Sequence, residues 1–189
     1  MEPTSRKYLF FDLDGTLTDS MPGIARAVQY ALRRFGIDVQ DLAALKPFLG
    51  PPLRDSFMEF YGMSPEEADR AVAVSREYFV PRGMFENELY PGIPELLAAT
   101  AAAGRVNVIA TSKPQPFAER IAAHFGIDRH FRLISGSTFD GRRKTKADVI
   151  RHALSALRIA PGEAVMIGDR RYDVEGAAEE GLPAIAGEW

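Results

Sequence analysis

Short apolar runs alternate along the chain with longer stretches whose apolar residues recur at helical spacing. Four runs have the length and composition of buried parallel strands, at residues 8–11, 106–110, 164–167 and 183–186, and a weaker fifth covers residues 131–134. Alternation of this kind is typical of strands joined by helical crossovers. The pattern therefore predicts an α/β protein whose parallel sheet is covered by helices on both faces.

Helical patterns separate these runs. They cover residues 93–103, 116–125 and 145–157. Gly126 stands just beyond the second of them, where a glycine commonly ends a helix. The third opens with Thr145 followed three residues later by Asp148, which is the spacing of a capping box.

A long, mostly helical stretch separates the first strand from the second. Ser64, Pro65 and Glu67 form a second capping-box pattern, which predicts a helix reaching about Tyr78. The stretch is too long for a simple crossover between neighbouring strands. We therefore predict a core of residues 1–16 and 89–189 with a small helical domain, residues 17–88, inserted into it.

Composition narrows the function classes. The chain has 189 residues, 46% of them hydrophobic and 26% charged, with a net charge of −3. The absence of cysteine excludes disulfides, cysteine-ligated zinc and thiol catalysis. No apolar run suits a signal peptide or a membrane span. These features favour a cytoplasmic protein that binds neither nucleic acid nor membrane. We expect it to be a monomer or homodimer.

Two pairs of carboxylates follow predicted strands. Asp12 and Asp14 end the first strand in "YLFFDLDGTLTDS", and Asp169 and Asp173 follow another in "MIGDRRYD". The carboxyl ends of parallel strands meet at one edge of a sheet, so the two pairs can converge there. Such a density of negative charge requires a cation, and ligation by oxygen alone suits Mg²⁺. Capping of helices and turns remains the simpler interpretation of either pair alone.

Two other interpretations of the first pair do not fit its spacing. An EF-hand loop beginning at Asp12 needs glycine at its sixth position and glutamate at its twelfth, where this chain has Leu17 and Gly23. A glycosidase needs one protonated carboxyl beside an ionised one, and nothing else indicates a sugar cleft.

Residues outside the two carboxylate pairs are candidates for binding an anion. Thr111 and Ser112 end the second strand and could cradle an anion, although Ser112 equally suits the N-cap of the next helix, with Gln115 completing a capping box. Lys146 lies in the first turn of a helix, where a cation opposes the helix dipole unless it faces an anion. A solvated Lys146 and the neighbouring Lys144 remain alternatives.

Together these segments resemble the haloacid dehalogenase-like superfamily. The motifs "DLDGTLTDS", "ATSKP", "KADVI" and "GDRRYD" occur in the family's order, and "FLGPPLRDSF" resembles its phosphoglycolate phosphatase-like and 5'-nucleotidase-like branch. The resemblance implies a Rossmann-like core with strand order 5-4-1-2-3 and an inserted α-helical cap. The chain ends at Trp189, before the further loop and helix usual in the family, so we expect the sheet to be uncovered beside its last strand.

The resemblance also implies a role for each motif. Asp12 would be the nucleophile, and Asp14, with a side chain free to carry a proton, would be the general acid and base. Thr111 and Lys146 would hold phosphoryl oxygens. Mg²⁺ would be held by Asp12, Asp14 through its backbone carbonyl, Asp169 and Asp173. The candidate substrate-binding residues are Gly15, Ser112 and Arg54, and a surface role is the alternative for Arg54.

The resemblance predicts a Mg²⁺-dependent phosphatase that hydrolyses a small phosphate monoester through an aspartyl-phosphate, as a phosphoglycolate phosphatase does. A 5'-nucleotidase, a pyrophosphatase, a β-phosphoglucomutase-like phosphomutase and a non-catalytic binding module remain alternatives. Dehalogenases of this family lack the second aspartate, so Asp14 argues against that activity. A phosphonatase would need a Schiff-base lysine in the cap, and Lys46 is a poor candidate for it.

Overall fold

The structure is a computed structural model that describes residues 5–187. Its strands are β1 (Tyr8–Phe11), β2 (Thr18–Asp19), β3 (Glu88–Leu89), β4 (Val106–Pro114), β5 (Phe131–Ser137), β6 (Ala164–Gly168) and β7 (Ala184–Ala186). Its α-helices are α1 (Met21–Arg34), α2 (Leu53–Tyr61), α3 (Pro65–Phe79), α4 (Ile93–Ala102), α5 (Gln115–His124), α6 (Lys146–Leu157) and α7 (Arg171–Glu179). None of the helices in this part of the chain is long and apolar enough to cross a membrane.

Five of the strands form one sheet in the order β5-β4-β1-β6-β7, and all four pairings are parallel. The predicted α/β class with a parallel sheet is confirmed. The strand labels differ from the predicted 5-4-1-2-3 because two short strands, β2 and β3, pair separately and were not anticipated. Counted within the main sheet alone, the order is 3-2-1-4-5, which is the predicted order read from the other edge.

Strand β4 extends four residues beyond the predicted 106–110 and ends at Pro114. After a register shift it pairs again with β5, Pro114 opposite Ser137. Thr111 and Ser112 therefore lie within a strand. Helix α5 has Pro114 at its N-cap with no side-chain hydrogen bond, so the interpretation of Ser112 as an N-cap is wrong.

The helices that follow the strands begin and end within a residue of their predicted limits. Residues 93–103, 116–125 and 145–157 correspond to α4, α5 and α6. Thr145 Oγ1 accepts the Asp148 N–H at 3.1 Å, and Asp148 accepts the Thr145 N–H at 3.0 Å. The predicted capping box of α6 is thus present, and it places Lys146 at the first helical position.

One apolar core of the sheet lies between its central strands and helices α6 and α7. Its fully buried members include Phe10, Val108, Ile150, Met166 and Ala177. Burial of such a side chain stabilises a fold by about 1.5–3 kcal/mol. This packing holds the carboxyl ends of β1, β4 and β6 in register beside the N-termini of the two helices.

The chain divides into two compact units. Residues up to Thr18 and from Leu89 onward form one, and Asp19–Glu88 forms the other. The first junction lies at residue 19 instead of the predicted 17. The second unit contains α1, α2 and α3 around its own apolar cluster, and α3 begins with a capping box in which Ser64 accepts the Glu67 N–H.

Strand β7 is the last described element of the sheet, and Ile185 on it is 37% exposed. The expectation of an uncovered sheet beside the last strand depends on the end of the chain at Trp189, which lies outside the described residues.

The close packing of α7 on α6 depends on Gly176. A Cβ at this position would lie 2.8 Å from Lys146 Cβ and 2.9 Å from the Ala147 backbone nitrogen. We expect Gly176→Ala to destabilise the protein by about 1–3 kcal/mol, because the two helices must separate. The midpoint of thermal unfolding should fall by roughly 2–12 °C.

Gly162→Ala is the matched control. A Cβ there would meet only the flexible Arg6 side chain, at 3.7 Å. Equal midpoints for the two variants would contradict this account of the α6–α7 contact.

Candidate active site

Asp12 follows directly on β1, at the carboxyl edge of the sheet. Its N–H donates to Ile167 O on β6 at 2.9 Å, and its Oδ1 accepts the Leu13 N–H at 2.8 Å. The chain then turns sharply, because Leu13 O accepts the N–H groups of Leu17 and Thr18. Asp12 is buried although it carries a carboxylate, so its charge must be balanced by neighbouring groups.

Gly15 allows this turn to approach Asp169. Its φ is 87°, in the left-handed region, and a Cβ would lie 2.3 Å from Asp169 Oδ2. Any side chain would collide with that carboxylate. The close approach to Asp169 therefore explains why this position is a glycine. A role of Gly15 in substrate binding remains a prediction.

Asp169 and Asp173 reach the same edge from β6 and α7. Asp169 follows the last residue of β6, and Asp173 accepts the Arg170 N–H at 3.0 Å in the first turn of α7. Oxygen atoms of Asp12, Asp169 and Asp173 all lie within 4.8 Å of one another. Three carboxylates this close offer a hard, oxygen-only donor set that could hold a divalent cation. The carboxylate of Asp14 does not belong to this group.

Lys146 lies among the same carboxylates. Its Nζ is 2.9 Å from Asp12 Oδ1 and 2.7 Å from Asp173 Oδ1, and it donates to Ala110 O at 3.0 Å. Burial lowers the pKa of this amine, but the charges of Asp12 and Asp173 outweigh burial, so the pKa is raised and Lys146 stays a cation. The alternative of a solvated Lys146 is wrong, and Lys144 is exposed.

The positive charge of Lys146 does not balance all the negative charge of the three carboxylates. Burial and the charge of Asp12 raise the pKa of Asp173 to about 6, and Lys146 offsets this only in part. Burial is also the main cause of the raised pKa of Asp169, which the Arg170 guanidinium opposes. Both shifts disfavour the ionised carboxylates, and a bound cation would favour them.

Asp14 has a partner that sequence reasoning missed. Lys113 Nζ lies 2.6 Å from both carboxylate oxygens of Asp14, and the lysine side chain is only 5% exposed. This ion pair with Lys113 was not predicted, and the role of Asp14 as general acid and base remains a prediction. We predicted that the second strand ends at Ala110, whereas β4 continues through Lys113 to Pro114.

Thr111 and Ser112 differ in their surroundings. Thr111 is buried, and its Oγ1 accepts the Lys113 N–H at 3.2 Å. The threonine hydroxyl proton therefore remains able to donate to an anion. Ser112 is half-buried, and its role in substrate binding remains a prediction.

Asp169 is oriented by two further residues that we did not predict. Thr16 Oγ1 donates to Asp169 Oδ1 at 3.0 Å, and Arg170 Nε lies 2.8 Å from Asp169 Oδ2. Both oxygens of Asp169 therefore have a protein partner. Thr16 lies in the stretch "DLDGTLTDS", but its partner is 153 residues away and no local pattern indicates it.

Arg54 belongs to the helical unit. It lies in the first turn of α2, where its Nε forms an ion pair with Asp69 Oδ1 at 2.8 Å and its Nη1 lies 3.5 Å from Met58 Sδ. Its side chain is 42% exposed. These contacts suit a surface arginine, so a role in substrate binding remains a prediction.

The fold and the site together define the class of protein. A carboxylate cluster with buried lysines at the carboxyl edge of a parallel sheet is a place where an α/β enzyme can bind an anionic ligand and a divalent cation. The chain belongs to the haloacid dehalogenase-like hydrolase family, whose sequence model matches residues 9–186.

Relatives within the family carry phosphatase names. A 5'-nucleotidase from Pseudomonas aeruginosa is 49% identical over 177 residues, which are 94% of this chain and 80% of that protein. A phosphoglycolate phosphatase from Yersinia pestis is 32% identical over 93% of this chain and 78% of its own length. The crystal structure of a predicted phosphatase from Clostridium acetobutylicum covers 96% of this chain and 84% of its own, with a TM-score of 0.91 and 49% identity. The protein is accordingly a phosphatase of this family.

Another relative carries a different name. The tyrosine-protein kinase PtkA of Mycobacterium tuberculosis is 41% identical over 98% of this chain, and the chain spans 63% of that kinase's length.

The raised pKa of Asp173 predicts how a cation stabilises the protein. Without metal, the folded state binds a proton at Asp173 more tightly than the unfolded state, so the contribution of Asp173 to stability falls as pH rises from about 4 to about 6. A Mg²⁺ ion that binds at this cluster would have to displace that proton below pH 6 but not above it. We expect the rise in unfolding temperature on adding MgCl₂ to be larger at pH 7.5 than at pH 5. At 100 times Kd the stabilisation is about 2.7 kcal/mol.

Two variants check this prediction. Asp169→Asn should reduce the response to Mg²⁺, and Asp140→Asn, which changes an exposed carboxyl whose pKa is lowered to about 2, should keep it. An equal response at both pH values would contradict the competition between proton and metal.

Proposed function

We propose that the protein is a Mg²⁺-dependent phosphatase that hydrolyses a small phosphate monoester through a phosphorylated Asp12. One observation carries the proposal: the two aspartates after β1 have separate partners. Asp12 lies in the carboxylate cluster with Lys146, whereas Asp14 is held by Lys113. Different surroundings for two carboxylates suit two different chemical roles.

In the first step an oxygen of Asp12 attacks phosphorus. The Leu13 N–H and Lys146 both contact Oδ1, so Oδ2 is the candidate nucleophile. The Asp12 O–P bond forms as the bond from phosphorus to the substrate oxygen breaks. The carboxyl proton of Asp14 passes to the departing alkoxide.

In the second step water attacks the phosphorus of the aspartyl-phosphate. Asp14, now a carboxylate, takes the proton of the water as the new O–P bond forms. The bond from Asp12 to phosphorus breaks, which releases inorganic phosphate and restores both aspartates. No base beyond the second carboxylate is needed.

Thr111 and Lys146 supply the charge and hydrogen bonds that the phosphoryl group needs. The Thr111 hydroxyl can donate to a phosphoryl oxygen, and Lys146 offsets charge that gathers in the transition state. Mg²⁺ would be held by Asp12, Asp169, Asp173 and the backbone carbonyl of Asp14. When bound, it adds positive charge close to the transferring phosphate.

Substrate choice is proposed to depend on the helical unit Asp19–Glu88. Such an inserted domain can exclude bulk water and contact the part of the substrate that does not react. The names of the relatives support a nucleoside 5'-monophosphate and 2-phosphoglycolate as the first substrates to compare, with pyrophosphate next. A panel of phosphorylated metabolites ranked by kcat/KM tests this part of the proposal.

The nucleophile is tested by Asp12→Asn. We expect Mg²⁺-dependent release of phosphate from p-nitrophenyl phosphate to fall by more than about 10³-fold, because the amide cannot form the aspartyl-phosphate. Asp128→Asn, an exposed residue outside the site, should behave as the wild type. Turnover that persists in Asp12→Asn would refute the assignment of the nucleophile.

A phosphomutase would return the phosphoryl group to the substrate instead of to water. Incubation with a sugar phosphate and a bisphosphate separates the two activities. Hydrolysis should yield inorganic phosphate in proportion to the substrate consumed. Isomerised product without free phosphate would exclude the phosphatase proposal.

The substrate role of Arg54 can be tested against a matched arginine. We expect Arg54→Ala to lower kcat/KM for the best substrate about 10-fold, the loss of one contact worth about 1.4 kcal/mol. Arg33→Ala is the control, since Arg33 is also exposed in the helical unit and also pairs with an aspartate, Asp38. Equal kinetics in the two variants would leave Arg54 as a surface arginine.

A further inference from the structure

We propose that Lys113 is a positioning residue, which holds the carboxyl group of Asp14 at the place where it exchanges a proton with the leaving group and with water. The inference rests on the proposed function and adds a residue to it. Lys113 and Asp14 are 99 residues apart in the chain, and the sheet brings them together because β4 neighbours β1.

The geometry of the contact is symmetrical. Lys113 Nζ is 2.6 Å from each oxygen of Asp14, so the ammonium lies between them. Rotation about the last side-chain bond of an aspartate is otherwise soft. A cation shared by both oxygens restricts that rotation, and it keeps the Asp14 carboxylate out of the cluster formed by Asp12, Asp169 and Asp173.

The burial of Lys113 supports a specific role for this residue in the site. Its side chain is 5% exposed, and lysines are rarely buried this far unless they are paired. Its backbone is also tied to the site, since the Lys113 N–H donates to Thr111 Oγ1. One strand thus supplies both a hydroxyl for the phosphoryl group and the cation that orients Asp14.

The two buried lysines divide the carboxylates between them. Lys146 contacts Asp12 and Asp173, and Lys113 contacts Asp14. Lys113 can remain in place in both states of Asp14, because a protonated carboxyl still accepts a hydrogen bond at its carbonyl oxygen. Its effect should therefore be confined to steps in which Asp14 transfers a proton.

That restriction gives the proposal a distinctive kinetic signature. An alkyl phosphate has a poor leaving group and needs the proton from Asp14 when its P–O bond breaks, whereas 2,4-dinitrophenolate departs without one. Misplacement of a catalytic group by about 1 Å can cost 10²-fold in rate. Loss of Lys113 should consequently slow the formation of aspartyl-phosphate from an alkyl phosphate and spare its formation from dinitrophenyl phosphate.

The experiment compares Lys113→Met with Lys144→Met, which removes the same charge from an exposed lysine. Rapid-quench measurements on the full chain with Mg²⁺ follow the release of the leaving group, adenosine from AMP or 2,4-dinitrophenolate from its phosphate ester, in the first turnover. In Lys113→Met we expect a loss of about 10²-fold with AMP and less than about 3-fold with the dinitrophenyl ester. The Lys144→Met variant should match the wild type with both.

A double-mutant cycle shows whether Lys113 acts through Asp14. In the Asp14→Asn background, Lys113→Met should cause little further loss with AMP, because the group that it positions is absent. If Lys113→Met does not fold, as judged by thermal unfolding, Lys113→Arg carries the same test. It should show a smaller loss that is still confined to AMP.

Other outcomes overturn the proposal. Equal losses with both substrates would make Lys113 a phosphoryl-binding or purely structural residue, and additive losses in the cycle would show that it acts apart from Asp14. Either result leaves the proposed phosphatase intact as long as the wild type turns over both esters. A wild type that releases phosphate from neither would reject the proposed function together with this inference.

Discussion

Repulsion between carboxylates at one edge of the sheet is the constraint on which the rest of the site depends. Two unit charges 4 Å apart at an effective dielectric of about 20 repel by roughly 4 kcal/mol. The protein offsets part of this with Lys146, which lies between Asp12 and Asp173, and with Lys113 on Asp14. The raised pKa of Asp173 indicates that the compensation is incomplete, which suits a site that could also hold a cation.

These charged side chains can come together only because segments of backbone pass close beside them. Glycine at positions 15, 168 and 176 leaves room for Asp169, Asp173 and Lys146 respectively, and a Cβ at any of them would lie less than 3 Å from the neighbouring side chain. The apolar core beneath keeps the strands and helices at that separation. Packing and electrostatics are therefore coupled, because a small shift of α7 against α6 would move both Asp173 and Lys146.

The separate partners of Asp12 and Asp14 also explain how two aspartates only two positions apart can act differently. Asp12 shares its surroundings with the candidate cation site, and Asp14 does not. In the proposed reaction Asp12 forms a bond to phosphorus, whereas Asp14 only transfers a proton. Two lysines from different parts of the chain keep these tasks apart, since each contacts its own aspartate.

The sequence alone determined the α/β class, both capping boxes and the acidic pairs, and it located the five strands of the main sheet and helices α4, α5 and α6 to within four residues. Each of these is a local pattern of period 2 or 3.6 or a short motif. Only the tertiary structure decided that β4 continues to Pro114 and that Lys113 meets Asp14. It likewise decided that Thr16 and Arg170 orient Asp169. A contact such as that between Lys113 and Asp14 depends on which strands become neighbours and on where a strand ends. No short stretch of sequence encodes either.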